Sequence, residues 1–369
     1  MRSAFDVLVI GGGPAGLAAS IACAHEGMSV VVADPAHPPV DKACGEGILS
    51  DGVRELREFG IALAASASLR GIQFFSGNSE VRAEFTNGDG VGVRRTVLHD
   101  ALRLRATELG VQLCWGSRVE ELTKGVARVD GDDVCYGFVV VADGQHSIWR
   151  DRLEFEGEVR LRRQRFGFRR HYRMSPWSNF VEVHWGDSAQ MYITPVAEDE
   201  VCIALLTSDQ HADFDRELAK FGIVAERVSK AKPCSKLRGA VCATRTLSHV
   251  TRSNIALIGD ASGSVDAITG DGISIALHAA KALARSIREK DLGSYEDAHR
   301  RIMRRPRQMG ELLLAMDRNP RFRARAMAAM SRHPEMFAKF LGLHTGAIGV
   351  TEFGVKNAMV LGWELLAGH

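Results

Sequence analysis

Between Asp6 and Asp34 the chain passes through DVLVI, the turn GGGPAG, an alanine-rich stretch ending near Glu26, and, after Gly27, the run SVVVA that stops at Asp34. This order predicts strand, tight turn, helix, strand and a terminal acid, which is half of a doubly wound α/β unit. Gly11 permits the turn, Gly13 lets backbone approach a pyrophosphate, and Gly16 lets the helix pack closely on the sheet. Pro14 and Ala15 open the helix, whose free N–H groups attract phosphate oxygens, and Asp34 stands where a carboxylate accepts from an adenosine ribose. A second glycine cluster, Gly88, Gly90 and Gly92, has neither a strand before it nor an alanine-rich helix after it, and reads as a turn.

A chain of 369 residues, 46% hydrophobic, buries a large core and divides into two or three regions. Its net charge of +2 implies no nucleic-acid partner. Seven cysteines (Cys23, Cys44, Cys114, Cys135, Cys202, Cys234 and Cys242) lie far apart without CxxC spacing, so no metal site or disulfide framework is expected. Reduced thiols imply a cytoplasmic setting. The N-terminus lacks the signature of a secretion signal, and no run reaches the roughly 18 apolar residues of a membrane span.

Two later segments repeat the pattern of an apolar strand running into a glycine-bearing turn. Phe138 to Ala142 leads into DGQHSIWR, and Asn254 to Ile258 leads into GDASGSVDAITGDGIS, with a helix expected from Gly270 to about Lys290. GGGPAG, VVVADGQHSIWR and IALIGDASGSVDAITGDGISIAL together resemble the three fingerprints of the FAD-dependent superfamily of p-hydroxybenzoate hydroxylase (group A flavoprotein monooxygenases), geranylgeranyl reductases and flavin-dependent halogenases. The resemblance spans residues 6 to about 290. It implies that Gly259 and Asp260 hold the ribityl chain of FAD, that Asp143 and Gly144 pack near its pyrophosphate, and that NAD(P)H is the electron donor. Arg95, in VRRTVLHDAL, resembles the family arginine just before a helix that reaches over the cofactor, with Arg94 as the alternative for that role; otherwise Arg94 reads as a solvated side chain. Independently, a helix starting at Gly270, Asp271, Gly272 and Ile273 turns its positive end toward whatever lies above it, which would favour a reduced, anionic flavin.

KACGEGIL, residues 42 to 49, resembles the K-x-C-G stretch of the reductases, and TGDGI resembles their TGEGI. Lys42, Cys44 and Gly45 are therefore expected at flavin or substrate, where glycine permits close backbone approach. Cys44 and Glu46 are the catalytic candidates; the bland alternatives are a small packed thiol and a solvated acid.

Residues 69–93 and 158–243 show strand alternation, with Phe180, Glu182 and His184 against Val181, Val183 and Trp185, a turn at Gly186 and Asp187, and a second hairpin from QMYITPV to VCIALL through AEDE. Antiparallel sheet here would wall a substrate cavity, with His171, His184, Trp185, Tyr192 and Pro195 as lining candidates. The arginines from Arg160 to Arg173 read as one solvated basic face of a strand, with binding of an acidic substrate as the alternative. After Tyr295 the pattern is helical and basic, a cap over the cavity, with a membrane-surface helix as the alternative.

The expected architecture is α/β: a Rossmann-like FAD-binding domain with a central parallel sheet (residues 1–68, 94–157 and 244–300), an antiparallel β-sheet substrate domain (69–93 and 158–243) and a helical C-terminal cap (301–369). The expected function is FAD-dependent oxidation–reduction of a small hydrophobic organic substrate. Monooxygenation comes first, because DGxxSxxR is complete, and reduction of a carbon–carbon double bond in an isoprenoid or lipid comes close behind, on Cys44 and TGDGI. Halogenation is disfavoured by the missing WxWxIP pair, and a scaffold that holds FAD without turnover stays open.

Overall fold

Val7 to Ile10 are four consecutive apolar residues, two of them β-branched valines, which suits a strand covered on both faces. In the computed structural model they lie fully buried within the strand Ser3–Ile10, at the centre of a parallel sheet. The structure describes residues 3–155, 157–159, 164–349 and 351–354. Along the main path of this sheet the order is Thr251–Arg252, Ile255–Leu257, Asp132–Val141, Ser3–Ile10, Val30–Asp34 and Gln112–Trp115, parallel except at the Thr251–Arg252 edge; off this path Val126–Val129 pairs antiparallel with Asp132–Val141 and with Val119–Thr123.

Register positions the site. Ile10 is paired with both Ala33 and Val141, and Val141 with Leu257, so four strands finish level with one another. The residues that follow them, Gly11, Asp34, Ala142 and Ile258, must therefore crowd one edge, the place where ligands bind on open parallel sheets. Helices Pro14–His25, Arg95–Glu108 and Gly272–Arg288 pack over the sheet through small and branched residues such as Ala18, Ala22, Ala279, Ala280, Leu98 and Leu283.

A second sheet carries Lys232–Pro233, Arg165–Arg173, Glu200–Thr207, Ala189–Ala197, Phe180–Trp185, Gly71–Ser76 and Ser79–Glu84 in that order, with Arg238–Cys242 also on Arg165–Arg173. Both expected hairpins are present. One step departs from the antiparallel expectation: Phe180–Trp185 runs parallel to Gly71–Ser76. These two strands are separated by long stretches of chain, so no tight turn obliges them to oppose one another.

The cluster Gly88, Gly90, Gly92 corrects the turn reading. Gly88 does turn, at φ +91°, but Gly90–Gly92 is a strand between Gly47–Ile48 and Ala67–Leu69. Glycine is required there because a Cβ on Gly92 would collide with the Pro195 carbonyl.

The cap comprises Leu292–Arg318, which runs through Pro306, then Pro320–Arg332 and Pro334–Thr345. The last two begin on proline, whose missing N–H is harmless at a helix start. Leu313, Met316, Met327, Met330, Phe337 and Leu341 pack toward Val183, Trp185 and Leu206 of the second sheet; Met327 and Met336 are core, whereas Met316 and Met330 also line a cavity. Residues 355–369 of the expected cap, and Arg160, Arg162 and Arg163 of the basic run, lie outside the described residues. Among the described residues no helix is long and apolar enough to cross a membrane.

Candidate functional site

At the first turn the Gly12 N–H donates to Asp34 Oδ2 at 2.6 Å, and the Ala36 N–H donates to Oδ1 at 2.7 Å. The acid is thus oriented by the backbone of its own unit. Gly11 sits at φ +108°, and a Cβ on Gly16 would strike the Gly11 carbonyl oxygen. Gly13 is different: a Cβ there would meet nothing within 4 Å. Behind the turn, His99 Nε2 lies 2.9 Å from the Gly12 carbonyl and its ring lies against Trp115. Burial pulls the His99 pKa down, so the ring is neutral, with its hydrogen on Nε2 toward the carbonyl. Sequence reasoning missed His99 and Trp115, and nothing adjacent to either signals the contact.

The three glycine turns open on one cavity of about 540 Å³. Gly13, Pro14, Ala15, Asp34, Lys42, Cys44, Gly45, Arg95, Asp143, Gly144, Gly259, Asp260, Gly270, Asp271, Gly272 and Ile273 all line it. Gly11 and Gly16 do not; they shape the turn from behind. Among the described residues, Asp143 Oδ1 and Arg95 Nε of this wall are buried without a hydrogen-bond partner. Asp143 Oδ2 accepts from the Trp149 N–H at 3.2 Å. Lys42 Nζ stands 3.5 Å from Asp260 Oδ2. Two cations, two helix N-termini, free space above Gly13 and the carboxylates of Asp34 and Asp260 match the charge and hydrogen-bonding needs of FAD. The helix beneath the third turn begins at Gly272, with Gly270 left-handed at φ +69° ahead of it.

Lys42 through Leu49 line the cavity without interruption. Within this segment Glu46 corrects the solvated reading: it is 1% exposed, with φ +61°. Its Oε1 accepts from the Arg95 N–H at 3.0 Å, and its Oε2 lies 2.5 Å from His171 Nε2. Arg169 Nη2 is 3.7 Å from Oε1 and is also paired with Asp41. Cys202 Sγ reaches the Cys44 carbonyl at 3.9 Å, and burial pushes the Cys202 thiol pKa up. Ligand atoms of Glu46, His171 and Cys202 fall within 4.8 Å of one another. Two ligands on one zinc ion at about 2.0–2.1 Å would lie roughly 3.3 Å apart. The closer Glu46–His171 approach is instead that of a shared hydrogen, and Arg169 already supplies positive charge.

Arg165 and Arg169 also depart from the solvated basic face. Both are buried, and Arg165 is paired with Asp266 at 3.2 Å and Asp317 at 3.6 Å. Arg170 and Arg173 pair with Asp215 and Asp199. Arg94, read as solvated, has Nε 3.3 Å from the buried Glu200.

Beyond the Cys44 segment the cavity becomes an apolar arm between the second sheet and the cap, lined by Val181, Val183, Ala204 and Leu206 on one side and by Met316, Phe322, Ala326, Met330 and Phe337 on the other. Tyr192 and Thr194 belong to this wall. The Tyr192 hydroxyl reaches Gln190 Oε1 at 3.1 Å and the Ile268 carbonyl at 3.2 Å, and burial raises its pKa, keeping it neutral. The other lining candidates do not reach the cavity. His184 points to the opposite face, stacked on Phe75 with Nε2 3.0 Å from Glu182. Trp185 shares the face of Val183 but packs edge-on against Phe74 beneath Arg323. Alternation turns Pro195 away, next to Gly92, and His171 sits behind Glu46.

A family model described as an FAD binding domain matches residues 4–299. The chain is 29% identical over 324 residues to a menaquinone reductase of Mycobacterium tuberculosis (strain ATCC 25618 / H37Rv), covering 78% of this chain and 77% of that protein. It is 28% identical over 322 residues to digeranylgeranylglycerophospholipid reductase 2 of Methanopyrus kandleri, covering 78% of each. The fold is shared with a flavoprotein/dehydrogenase structure from Cytophaga hutchinsonii, at a TM-score of 0.85 and 16% identity over the full length of both chains.

Proposed function

Because the chain belongs to the FAD binding domain family, and is thereby an FAD-dependent oxidoreductase, we propose that it saturates a carbon–carbon double bond in a long apolar substrate of isoprenoid type, with NAD(P)H as electron donor. The observation that carries this reading is the single cavity running from the glycine turns, past Lys42–Leu49, into the apolar arm beneath the cap. An extended hydrocarbon would fill that arm and exclude water from the reacting bond. Two relatives named as reductases, one of menaquinone and one of digeranylgeranylglycerophospholipid, support it.

The chemistry that FAD would supply here, when bound, is transfer of an electron pair as hydride to one carbon of the double bond. The residues of the chain hold and orient. N–H groups at the start of Pro14–His25, with Arg95 and Lys42, would take the pyrophosphate; Asp34 and Asp260 would take the sugar and ribityl hydroxyls. The positive end of Gly272–Arg288 would stabilise negative charge on the reduced ring. The second carbon needs a proton, and we assign its delivery to the Cys44 thiol in the cavity wall. Exposed Arg300, Arg301, Arg304 and Arg305 on the cap are read as the side turned toward an anionic membrane surface from which the substrate is drawn.

The complete DGQHSIWR segment favours monooxygenation, but several of its groups bond within the turn, while among the described residues Asp143 Oδ1 and Arg150 Nη1 have no partner. Ser147 Oγ accepts from the Arg150 N–H at 3.0 Å, Asp143 from the Trp149 N–H, and Arg150 donates to the Gln145 carbonyl. These bonds give the segment a part in building the turn that is independent of oxygen chemistry, and with the apolar arm they are why we place saturation ahead of monooxygenation.

The test is anaerobic. Holoprotein reduced by NADH or NADPH is mixed with a polyprenyl quinone or geranylgeranyl lipid, and the product is weighed by mass spectrometry. Gain of two hydrogens without oxygen supports the proposal; no product without air and an added oxygen atom in air overturns it.

A further inference from the structure

CGEG places a glutamate between two glycines, and it is the glutamate that adopts the left-handed backbone, at φ +61°. Such a residue persists only where its surroundings over-determine it. For Glu46 the surroundings are specific. The Arg95 N–H and His171 Nε2 reach its two carboxylate oxygens at 3.0 and 2.5 Å, and the Val93 N–H donates to its carbonyl at 2.9 Å. Its own N–H donates to Cys44 Sγ at 3.4 Å.

The hydrogen on His171 can be placed. Arg169 Nη1 lies 3.2 Å from His171 Nδ1, and a guanidinium only donates, so Nδ1 accepts and the ring hydrogen sits on Nε2, aimed at Glu46. Ser235 Oγ lies 2.8 Å from the same Nδ1. Arg169 is itself fixed by Asp41 and the Lys42 carbonyl, and Asp41 also takes Arg238. From the neighbouring strand, Cys202 faces the pair and meets the Cys44 carbonyl, while Glu200 is engaged by Arg94 and Arg173. One end of the held segment is Lys42, beside Asp260; at the other, a Cβ on Gly47 would touch Val181 and Thr194 of the apolar arm.

We propose that His171 and Arg169 are positioning residues that act through Glu46, holding the Cys44–Gly45 turn and its thiol where the cofactor region of the cavity meets the apolar arm. Neither His171 nor its contact with Glu46 touches the reacting atoms; the effect passes through the backbone of Glu46. The inference holds whichever bond is reduced, and its readout involves no turnover, so its failure is distinguishable from failure of the proposed function.

The experiment measures alkylation of each cysteine by iodoacetamide in FAD-loaded protein, resolved by mass spectrometry, for wild type, His171→Phe, His171→Gln and Glu46→Gln. Glutamine at position 171 retains an N–H near the place of Nε2. The expected result is a roughly tenfold faster rate at Cys44 in His171→Phe, the size of one lost charge-assisted hydrogen bond. Glu46→Gln should give a smaller rise and His171→Gln a rate close to wild type. Cys114 and Cys135, in the parallel sheet, serve as internal references and should not change. An unchanged Cys44 rate in His171→Phe, a parallel rise at all three cysteines, or no recovery with glutamine would each overturn the proposal. If His171→Phe does not fold, the Glu46→Gln profile decides by the same comparison.

Discussion

Lys42 Nζ lies 3.5 Å from Asp260 Oδ2, tying the Cys44 segment to the third glycine turn in the wall of the cavity. Both side chains are nearly half exposed, so the pair contributes little to folding. Lys42→Ala should therefore change apoprotein stability by less than about 1 kcal/mol in urea denaturation. FAD affinity should fall by roughly tenfold in a fluorescence titration, because a charged contact to the cofactor is lost. Equal effects on stability and affinity would make Lys42 a structural residue only.

The glycines of the first turn divide into two kinds. Gly16→Ala forces a Cβ into the Gly11 carbonyl and should lower the thermal midpoint of the apoprotein by several degrees, on the order of 2 kcal/mol. Gly13→Ala meets no protein atom within 4 Å and has an ordinary backbone at φ −69°, so its apoprotein should melt like wild type. Circular-dichroism melts of the two variants check this contrast.

His278 supplies a pH signature outside the cavity lining. Burial opposes its charge, but hydrogen bonds to Asp51 and Glu55 prevail and raise its pKa to about 9. A folded-state pKa above the unfolded value of about 6.5 gives stability that is fully present below that value and lost as pH rises through 9. Wild type should lose on the order of 2 kcal/mol relative to His278→Gln between about pH 6.5 and 9.5. Parallel denaturation curves of the two proteins across that window would refute the pairing.

Ala326 lines the apolar arm from the cap side. Ala326→Trp should reduce affinity for a long polyprenyl substrate by at least roughly tenfold while leaving the rate of flavin reduction by NAD(P)H unchanged; overpacking is expected to lower stability by about 1–3 kcal/mol. Stopped-flow reduction and substrate titration on the same preparation separate the two effects.

What adjacent residues decide was legible before any coordinates. Gly11, Gly13, Gly16 and Asp34 act within one strand–helix–strand unit, and backbone freedom and helix-end charge follow from their spacing. Alternation in Phe180–Trp185 correctly separated two faces, but which face meets the cavity depends on where the cap lies, and this left His184 outside. Glu46, Arg165 and Arg169 are hidden for a related reason. Their burial depends on partners as distant as the 125 positions between Glu46 and His171 or the 128 between Arg169 and Asp41. No local pattern distinguishes a solvated acid from one that will meet such a partner. Gly90–Gly92 looked like a turn because glycine marks both turns and close approaches, and only the Pro195 carbonyl shows which applies.

The account stands on FAD occupying the space above Gly13, and titration of FAD into apoprotein, wild type beside Gly13→Ala, measures that most directly. One site per chain in wild type, with a dissociation constant of about 1 μM or tighter, and binding weakened at least roughly a hundredfold in a normally folded Gly13→Ala is the predicted result. Absent binding in wild type, or equal affinity in the two proteins, would contradict it.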